Sequence, residues 1–428
     1  MTTDSADTAD VEDVTGTTGE TGTAHSGPEP GQPLLDYPFH RPSAVEVPPV
    51  YEELRATCPV AHVRLPSGDE GYVVTRYDDV RTVLADARFS RAATIAPDAP
   101  QLTATPPVPG SLFTTDAPEH TRLRRLVSRE FTARRVQNMR PRIQELTDAL
   151  LDDIEKLDGP VDLNTALAFP LPVMVICELL GVPFEDRDRF RDWSDAFVSL
   201  TAHTPEETAA KRQQMIEYLA ALVQRKREQP TDDLMGALVA AHDEEGSLNE
   251  YELIVMAATI LVAGHETTVS MIGKTVLTLL RHPEHMAALR ERPEMLDHAI
   301  EELLRVNPIG DGGPLRITLE DVEVGGTVIP KGSAVLAAVC SANQDPARFP
   351  GATPNEFDPA RPEAVHHVAF GHGPHFCVGA ALARAELQIV ISSLLNRFPG
   401  LRLAEDVEAL ELTTGMMVHG LTRLPVTW

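Results

Sequence analysis

The sequence FGHGPHFCVGAALAR, residues 370–384, places a single cysteine between a glycine-rich turn and an Ala- and Leu-rich segment. Gly371, Gly373 and Pro374 predict a turn, because glycine reaches backbone conformations closed to other residues and proline fixes one dihedral angle. The residues that follow have high helix propensity. Cys377 is therefore expected at the N-terminus of a helix, where backbone N–H groups and the helix dipole favour a thiolate.

A bare surface of small residues follows this cysteine. Gly379 and Ala380 leave the first turn of the expected helix open, so a flat group has room beside the sulfur. A thiolate at such a surface suits an axial haem ligand, whose electron donation favours cleavage of an O–O bond. A lone cysteine is more often a small buried hydrophobe. That alternative leaves the glycines and His375 unexplained.

The segment FGHGPHFCVG resembles the haem-binding signature of the cytochrome P-450 superfamily, in which Phe, Gly, Cys and Gly recur at fixed spacing. The resemblance implies that Cys377 is the proximal ligand of a haem b iron and that Phe370 shields its sulfur. It also implies that His375 binds a haem propionate and that Gly371 and Gly379 shape the cofactor loop.

Composition limits the classes of function. The 428 residues are 43% hydrophobic, and the formal net charge of -27 argues against nucleic acid as a general partner. No basic and apolar leader and no run of about 18 apolar residues is evident. A soluble, cytoplasmic, monomeric protein of the bacterial type is therefore expected. The cysteines lack a CxxC pair or a zinc-like spacing, which suggests a reducing compartment; they are Cys58, Cys177, Cys340 and Cys377.

Two parts of the chain are distinguished by composition. Residues 1–32 hold seven acidic residues and no Lys or Arg, which predicts a disordered tail. Residues 33–428 are expected to form one catalytic domain. The resemblance implies a mainly α fold with small β-sheets, a large helical domain with a smaller β-rich lobe. Residues 92–112, rich in Pro, Ala and Thr, predict a loop, which the family places over the substrate.

Seven arginines stand against one acid between residues 120 and 140. A helix would place Arg122, Arg125 and Arg129 on one face. This is either a solvated face or a docking surface for an acidic electron donor, which complementary charge would orient. The family resemblance favours docking of an acidic ferredoxin. It also implies that His120 and Arg124 bind haem propionates.

The apolar run of residues 253–280 predicts a long helix, interrupted by the sequence AGHETT at residues 263–268. A glycine and an acid within such a helix break local preferences, which often marks a functional position. A kink with satisfied polar groups is the alternative. The sequence resembles the oxygen-activation motif of the family, which implies that Ala263 and Gly264 face the haem. Glu266 and Thr267 would then be the catalytic pair that relays protons.

The pair Glu302 and Arg305 has the i,i+3 spacing of an ordinary surface ion pair. It also resembles the ExxR motif of the family, to which Arg361 in FDPARP would add a second arginine. The three residues are expected to form a buried network that holds the fold. Arg316 matches a further propionate-binding position.

The resemblance implies a monooxygenase that uses O2 and takes electrons from NAD(P)H through a ferredoxin reductase and a ferredoxin. The whole sequence resembles actinomycete biosynthetic members, which favours hydroxylation or epoxidation of a macrolide or other polyketide. The expected pocket segments are aliphatic, with Met416 and Met417 as adaptable residues. Asp311, among three glycines, either lies in a bare turn or pairs with a polar group of the substrate.

Three other functions are weighed against this one. A peroxide-driven enzyme acting on fatty acids is disfavoured, because such members of the family replace the Glu266–Thr267 pair with Arg-Pro. A non-catalytic haem sensor or carrier is disfavoured by the proton-relay motif and the basic helix. A thiol hydrolase built on Cys377 and His375 lacks a matched group near the motif to orient the histidine.

Overall fold

A 32-residue helix, Glu250–Arg281, runs through the centre of the molecule. Its first turn is closed by a capping box, in which the Asn249 side chain accepts from the Glu252 N–H at 2.9 Å and the Glu252 carboxylate accepts from the Asn249 N–H at 2.8 Å. Most of its apolar side chains are buried. Length and composition alone would let this helix cross a membrane, but two thirds of its apolar window is buried inside the protein (67%). It is the core helix here.

The computed structural model describes residues 34–43, 46–243, 247–351 and 354–428. The predicted tail of residues 1–32 lies outside the described residues. The helices, in chain order, are α1 (Val50–Thr57), α2 (Tyr77–Ala85), α3 (Glu119–Ser128), α4 (Ala133–Glu155), α5 (Pro170–Leu180), α6 (Arg187–Phe197), α7 (Pro205–Glu228), α8 (Leu234–Asp243), α9 (Glu250–Arg281), α10 (Pro283–Glu291), α11 (Leu296–Val306), α12 (Val339–Ala342) and α13 (Ala380–Arg397).

The strands are short and gather into small sheets. They are β1 (Leu35–Asp36), β2 (Val60–Arg64), β3 (Glu70–Val74), β4 (Phe89–Ser90), β5 (Val161–Asp162), β6 (Arg316–Thr318), β7 (Val322–Val324), β8 (Thr327–Ile329), β9 (Ala334–Ala337), β10 (Arg402–Leu403) and β11 (Pro425–Thr427). The largest sheet has the order β1-β2-β3-β9-β6-β4, and the others are β10-β11-β5 and β7-β8. The expected mainly helical fold with small sheets is confirmed.

The helices pack in two large apolar clusters. One surrounds the C-terminal half of α9 and contains residues of α4, α10, α11 and α13. The other surrounds its N-terminal half and contains residues of α5, α6, α7 and α8. The β-rich lobe has smaller cores of its own. Leu123 and Val127 of α3 pack in the second cluster with the N-terminal half of α9, and α13 packs in the first cluster with its C-terminal half.

The pair Glu302 and Arg305 is completely buried on α11 and is not a surface ion pair. The Arg305 guanidinium donates to both oxygens of Glu302 at 2.7 Å and also to the carbonyl of Asn343 at 2.7 Å. Arg361 donates to Glu302 at 3.0 Å, and the N–H of Asp358 does so at 3.2 Å. This network ties α11 to the segment that leads into the Cys377 loop, as the sequence predicted.

Replacement of Glu302 by Gln should lower the free energy of unfolding by about 3–5 kcal/mol, because two buried guanidinium groups lose their counter-charge. The exposed pair Asp153 and Lys156 has the same i,i+3 spacing and provides the control. Asp153→Asn should change stability by less than about 0.5 kcal/mol. Urea unfolding measures both. Equal losses in the two variants would contradict a special role of the buried network.

Candidate active site

The Cys377 loop is a set of tight turns that close on themselves. The N–H of Cys377 donates to the carbonyl of Phe370 at 2.9 Å, and the N–H of Gly371 donates to Val368 at 2.8 Å. Gly371 and Gly373 have φ angles of 75° and 72°, a region that favours glycine. A Cβ on Gly373 would also lie only 2.8 Å from the Cα of Ala85 in α2. The glycines are therefore required by the turns and by close packing.

Cys377 lies three residues before α13, which begins at Ala380 with Gly379 as its N-cap. The residue is exposed on one side. The rest of the protein still surrounds the sulfur closely enough that burial raises the pKa of the thiol, against the lowering effects of the Gly379 N–H, Arg124 and Arg384. The N–H of Gly379 at the helix N-terminus does favour the thiolate, but burial outweighs it. Coordination to a metal ion deprotonates such a thiol outright.

Basic side chains from four different segments converge beside this loop. The rings of His120 on α3 and His375 in the loop lie 4.0 Å apart, centroid to centroid. Arg124, one turn further along α3, donates to the carbonyl of Phe376 at 2.5 Å. Arg316 at the start of β6 and Arg91 after β4 are both buried. The structure thus brings together His120, Arg124, Arg316 and His375 as predicted, and it adds Arg91.

This basic cluster, defined as Arg91, His120, Arg124, Arg316 and His375, is electrostatically strained. Burial, followed by the charges of Arg91 and His120, lowers the pKa of His375 to about 2. Burial also lowers the pKa of Arg316 to about 10. Asp116 is a nearby acid, but its carboxylate already accepts hydrogen bonds from Ser90 Oγ at 2.5 Å and from the backbone N–H of Arg91 at 3.0 Å. The cluster therefore suits a ligand that carries negative charge.

The middle of α9 carries Glu266 and Thr267, both partly buried. The Thr267 hydroxyl donates to the carbonyl of Ala263 at 2.8 Å. Glu266 Oε1 lies 3.0 Å from Nε2 of the fully buried His265. Burial, followed by the charge of Glu266, raises the pKa of Asp195 on α6 to about 6. Acidic groups of α6 and α9 thus face each other here.

The expected open turn at Ala263 and Gly264 is not a break in α9, which continues from residue 250 to residue 281. A Cβ on Gly264 would lie 2.5 Å from Cδ1 of Ile176 on α5. Gly264 therefore permits close packing of α9 against α5. The direction in which a side chain would leave Gly264 points toward α5. This geometry does not support the expectation that Gly264 contacts a cofactor.

Phe370 lies against a partly buried ion pair that joins α11 to α13. Arg384 donates to both oxygens of Glu301, at 2.6 and 2.7 Å, and its guanidinium lies 4.6 Å from the Phe370 ring centroid. His367 Nε2 lies 3.2 Å from Glu301. Against the effect of burial, these two partners lower the pKa of Glu301 to about 2, so the carboxylate is ionised. Arg384 is in turn oriented toward the Cys377 loop.

The three arginines that were expected on one docking face have different surroundings in the structure. Arg122 forms a bidentate ion pair with Glu252 at the start of α9, with its shortest contact at 2.5 Å, and also donates to the carbonyl of Ser247. Arg125 and Arg129 are exposed. Arg122 therefore connects α3 to α9 within the protein, and only the other two remain candidates for a partner.

Asp311 is neither in a bare turn nor available to a substrate. Its carboxylate is buried, accepts from Arg41 Nη2 at 2.6 Å and lies 3.6 Å from His419 Nε2. Against the effect of burial, His419 and Arg41 lower the pKa of this carboxyl group. Both alternatives from the sequence are wrong, because Asp311 joins the N-terminal segment to the C-terminal loop.

The similarity of this chain to known proteins agrees with the geometry. The family model described as cytochrome P-450 matches residues 54–418. Nocardicin C N-oxygenase of Nocardia uniformis subsp. tsuyamanensis is 49% identical over 92% of this chain and 98% of its own length. Mycinamicin IV hydroxylase/epoxidase of Micromonospora griseorubida is 44% identical over the same shares. The structure of the LnmA cytochrome P-450 hydroxylase from the leinamycin pathway of Streptomyces atroolivaceus superposes with a TM-score of 0.83, at 47% identity, covering 92% of this chain and all of that chain.

The chain is a cytochrome P-450. It is a haem-thiolate monooxygenase that uses O2, as the sequence predicted. The residues of this P-450 fit the haem on two observations. Among the described side chains, Nε and Nη1 of Arg91 and Nη2 of Arg316 are buried without a hydrogen-bond partner. Two haem propionates would supply acceptors for these atoms and negative charge for the basic cluster. An exposed cysteine next to that cluster matches the donor set of the cofactor.

Arg91 is the residue that the sequence analysis missed. It follows strand β4, far in sequence from every family motif considered above. Arg91 is the one charged residue in the segment FSRAATI, but this pattern alone does not show that the side chain is buried. Its position in the P-450 becomes evident only when β4 pairs with β6, which carries Arg316.

Replacement of Arg91 by Leu should speed the loss of haem to an excess haem acceptor by about tenfold or more, because a charge-assisted hydrogen bond contributes about 1.5–3 kcal/mol. Arg88→Leu is the matched control, since Arg88 lies three residues away, is partly exposed and pairs with Asp86. Its rate of haem loss should equal that of the wild type. Identical rates in all three proteins would contradict a contact between Arg91 and the cofactor.

Proposed function

We propose that this P-450 inserts one oxygen atom of O2 into a bulky apolar natural product, a macrolide or other polyketide, by hydroxylation or epoxidation. The observation that carries the reaction is the exposed Cys377 residue beside the basic cluster, and the Glu266–Thr267 motif in the middle of α9 supports it. Electrons come from NAD(P)H through a ferredoxin reductase and a ferredoxin. The catalytic domain extends over residues 33–428, and the protein acts as a monomer in the cytoplasm.

Each cofactor-binding residue has a defined task in this proposal. The haem, when bound, supplies the iron at which O2 is activated. Cys377 is its protein ligand, and Phe370, fixed by Arg384, covers the sulfur. The basic cluster holds the propionates. Gly371 and Gly379 keep the backbone of the loop close to the sulfur, where the Gly379 N–H opposes protonation of the thiol.

Glu266 and Thr267 move protons in this proposal. The Thr267 hydroxyl donates its proton in a hydrogen bond to the carbonyl of Ala263, and its oxygen can still accept a second hydrogen bond. By rotating, the hydroxyl can therefore accept a proton on one side and donate one on the other. Glu266 is the acid next to it. Asp195 on α6, whose pKa is raised to about 6 by burial and by the charge of Glu266, adds a second acid beside Glu266 in this proposal.

Replacement of Thr267 by Ala should leave haem content and substrate affinity unchanged but divert most of the reducing equivalents to peroxide, because the relay hydroxyl is missing. Thr268→Ala is the control. Its hydroxyl is buried and lies 3.5 Å from the carbonyl of Gly264. The ratio of product to NAD(P)H consumed measures coupling. Full coupling in Thr267→Ala would show that another group relays the proton.

The substrate proposal rests on three segments that the structure brings together. The carbonyl of Gly415 accepts from the N–H groups of Leu200, Thr201 and Ala202, which follow α6. The N–H of His419 donates to Ile309 at 2.6 Å. The C-terminal turn with Met416 and Met417 therefore lies against the residues that follow α6 and against residues 307–315, one of the segments that we expect to line the pocket. These segments are mainly aliphatic, and relatives of this chain are named for large natural products.

Optical titration of the purified ferric protein tests the substrate class. Macrolides and other polyketides should cause a saturable shift of the haem band toward high spin, because a fitting ligand displaces water from the iron. Terpenoids and fatty acids provide the comparison. Shifts with those ligands alone would discard the polyketide assignment while keeping the monooxygenase.

The donor site is proposed around Arg125 and Arg129, without Arg122. Both residues lie on or just after α3, whose Arg124 contacts the Cys377 loop. A negatively charged ferredoxin bound there would be close to the sulfur side of the haem. The exposed Phe376 adds an apolar contact beside these charges.

A further inference from the structure

A group of metal-ligating side chains lies at the junction of α9 and α10, apart from the cofactor loop. His282 connects the two helices, and Glu284 and His285 lie in the first turn of α10. One ligand atom from each of the three residues lies within 4.8 Å of the others. We propose that His282, Glu284 and His285 form a binding site for a divalent transition metal of the zinc class.

The distances between the ligand atoms fit a shared ion. Nδ1 of His282 lies 3.4 Å and Nε2 of His285 lies 3.8 Å from the same oxygen of Glu284. Ligands held roughly 2.0–2.2 Å from a tetrahedral ion are themselves roughly 3.3–3.6 Å apart. Two of the three distances between the ligand atoms are therefore already close to the edge length of such a tetrahedron.

Direct hydrogen bonds would give shorter distances. The His62–Glu70 and His367–Glu301 pairs of this protein have N–O distances of 3.1 and 3.2 Å. Both contacts of Glu284 are longer than these and than the usual range of about 2.7–3.2 Å. Two imidazoles also converge on one oxygen, an arrangement that an ion satisfies better than a single carboxylate lone pair shared between two donors.

The site is held from behind by the fold. The buried ring of Phe357 packs against both imidazoles, with centroid distances of 5.9 Å to His282 and 5.5 Å to His285. The junction backbone is fixed as well, because the His282 N–H donates to Leu279 and the Met286 N–H donates to His282, both at 3.0 Å. Two ligands thus start with restricted orientations, which favours binding.

The donor set selects the class of metal. Two imidazole nitrogens and one carboxylate oxygen suit Zn²⁺ and its neighbours, whereas Mg²⁺ and Ca²⁺ prefer oxygen ligands alone. Three protein ligands leave a fourth position for water. An ion here would join the end of α9 to the start of α10, and α10 packs in the same apolar cluster as α13. Binding to the folded state alone should raise its stability.

Isothermal titration of the tag-free, haem-loaded protein with Zn²⁺ tests the proposal. We expect one saturable site per chain, a rise in Tm with added Zn²⁺ and no saturable binding of Mg²⁺. His285→Ala should weaken Zn²⁺ binding at least tenfold and abolish the rise in Tm, and Glu284→Gln should weaken binding to a smaller extent. An unchanged haem band verifies that each variant is folded.

His62→Ala is the matched control, because it removes one partner of a surface His–Glu pair elsewhere in the chain. Its titration and Tm response should equal those of the wild type. A wild-type protein without a saturable site, or a His285→Ala variant that binds Zn²⁺ as the wild type does, would overturn the proposal. So would an equal loss of affinity in His62→Ala.

Discussion

Burial of basic side chains beside the Cys377 loop is the constraint on which this structure depends. The cluster draws on four segments, since Arg91 follows β4, Arg316 begins β6, His120 and Arg124 lie on α3, and His375 lies in the Cys377 loop. Three of these side chains are buried, namely Arg91, His120 and Arg316. Burying unpaired charge is costly, and the lowered pKa values of His375 and Arg316 express that cost. Among the described side chains, Nε and Nη1 of Arg91 and Nη2 of Arg316 remain without an acceptor. A dianionic cofactor would supply acceptors and negative charge, so haem binding would stabilise the folded state of this region.

The rest of the fold keeps these segments in register. The buried network of Glu302, Arg305 and Arg361 fixes α11 to the chain that enters the cofactor loop. Glu301, the neighbouring residue on α11, holds Arg384 of α13, which lies over Phe370. Two adjacent acids on one helix thus set the entry and the exit of the same loop. Displacement of α11 would change both sides of the sulfur together.

Local sequence rules predicted what depends on local geometry. The Cys377 turn follows from its glycines, and the length of α9 follows from its apolar run and capping residues. The contacts that were missed join distant parts of the chain. Asp311 meets Arg41 across 270 residues, and Arg122 meets Glu252 across 130. No periodicity encodes such pairs. Gly264 shows the same limit of sequence-based prediction. A glycine is needed there because α5 packs closely against α9, and that contact is not visible in the local sequence.

Motif residues are therefore not the only ones that shape the active site. Lys274, on the C-terminal half of α9, is buried, and burial lowers its pKa to about 7. It donates to the carbonyl of Pro308 at 2.6 Å. Asp311 lies three residues after Pro308, and its partners Arg41 and His419 belong to the N-terminal and C-terminal parts of the chain. These contacts hold residues 308–311 in place, within the segment of residues 307–315 that we propose to line the substrate pocket. Differences in substrate between related chains can then arise from buried pairs such as these, while the sulfur loop and its basic cluster remain the same.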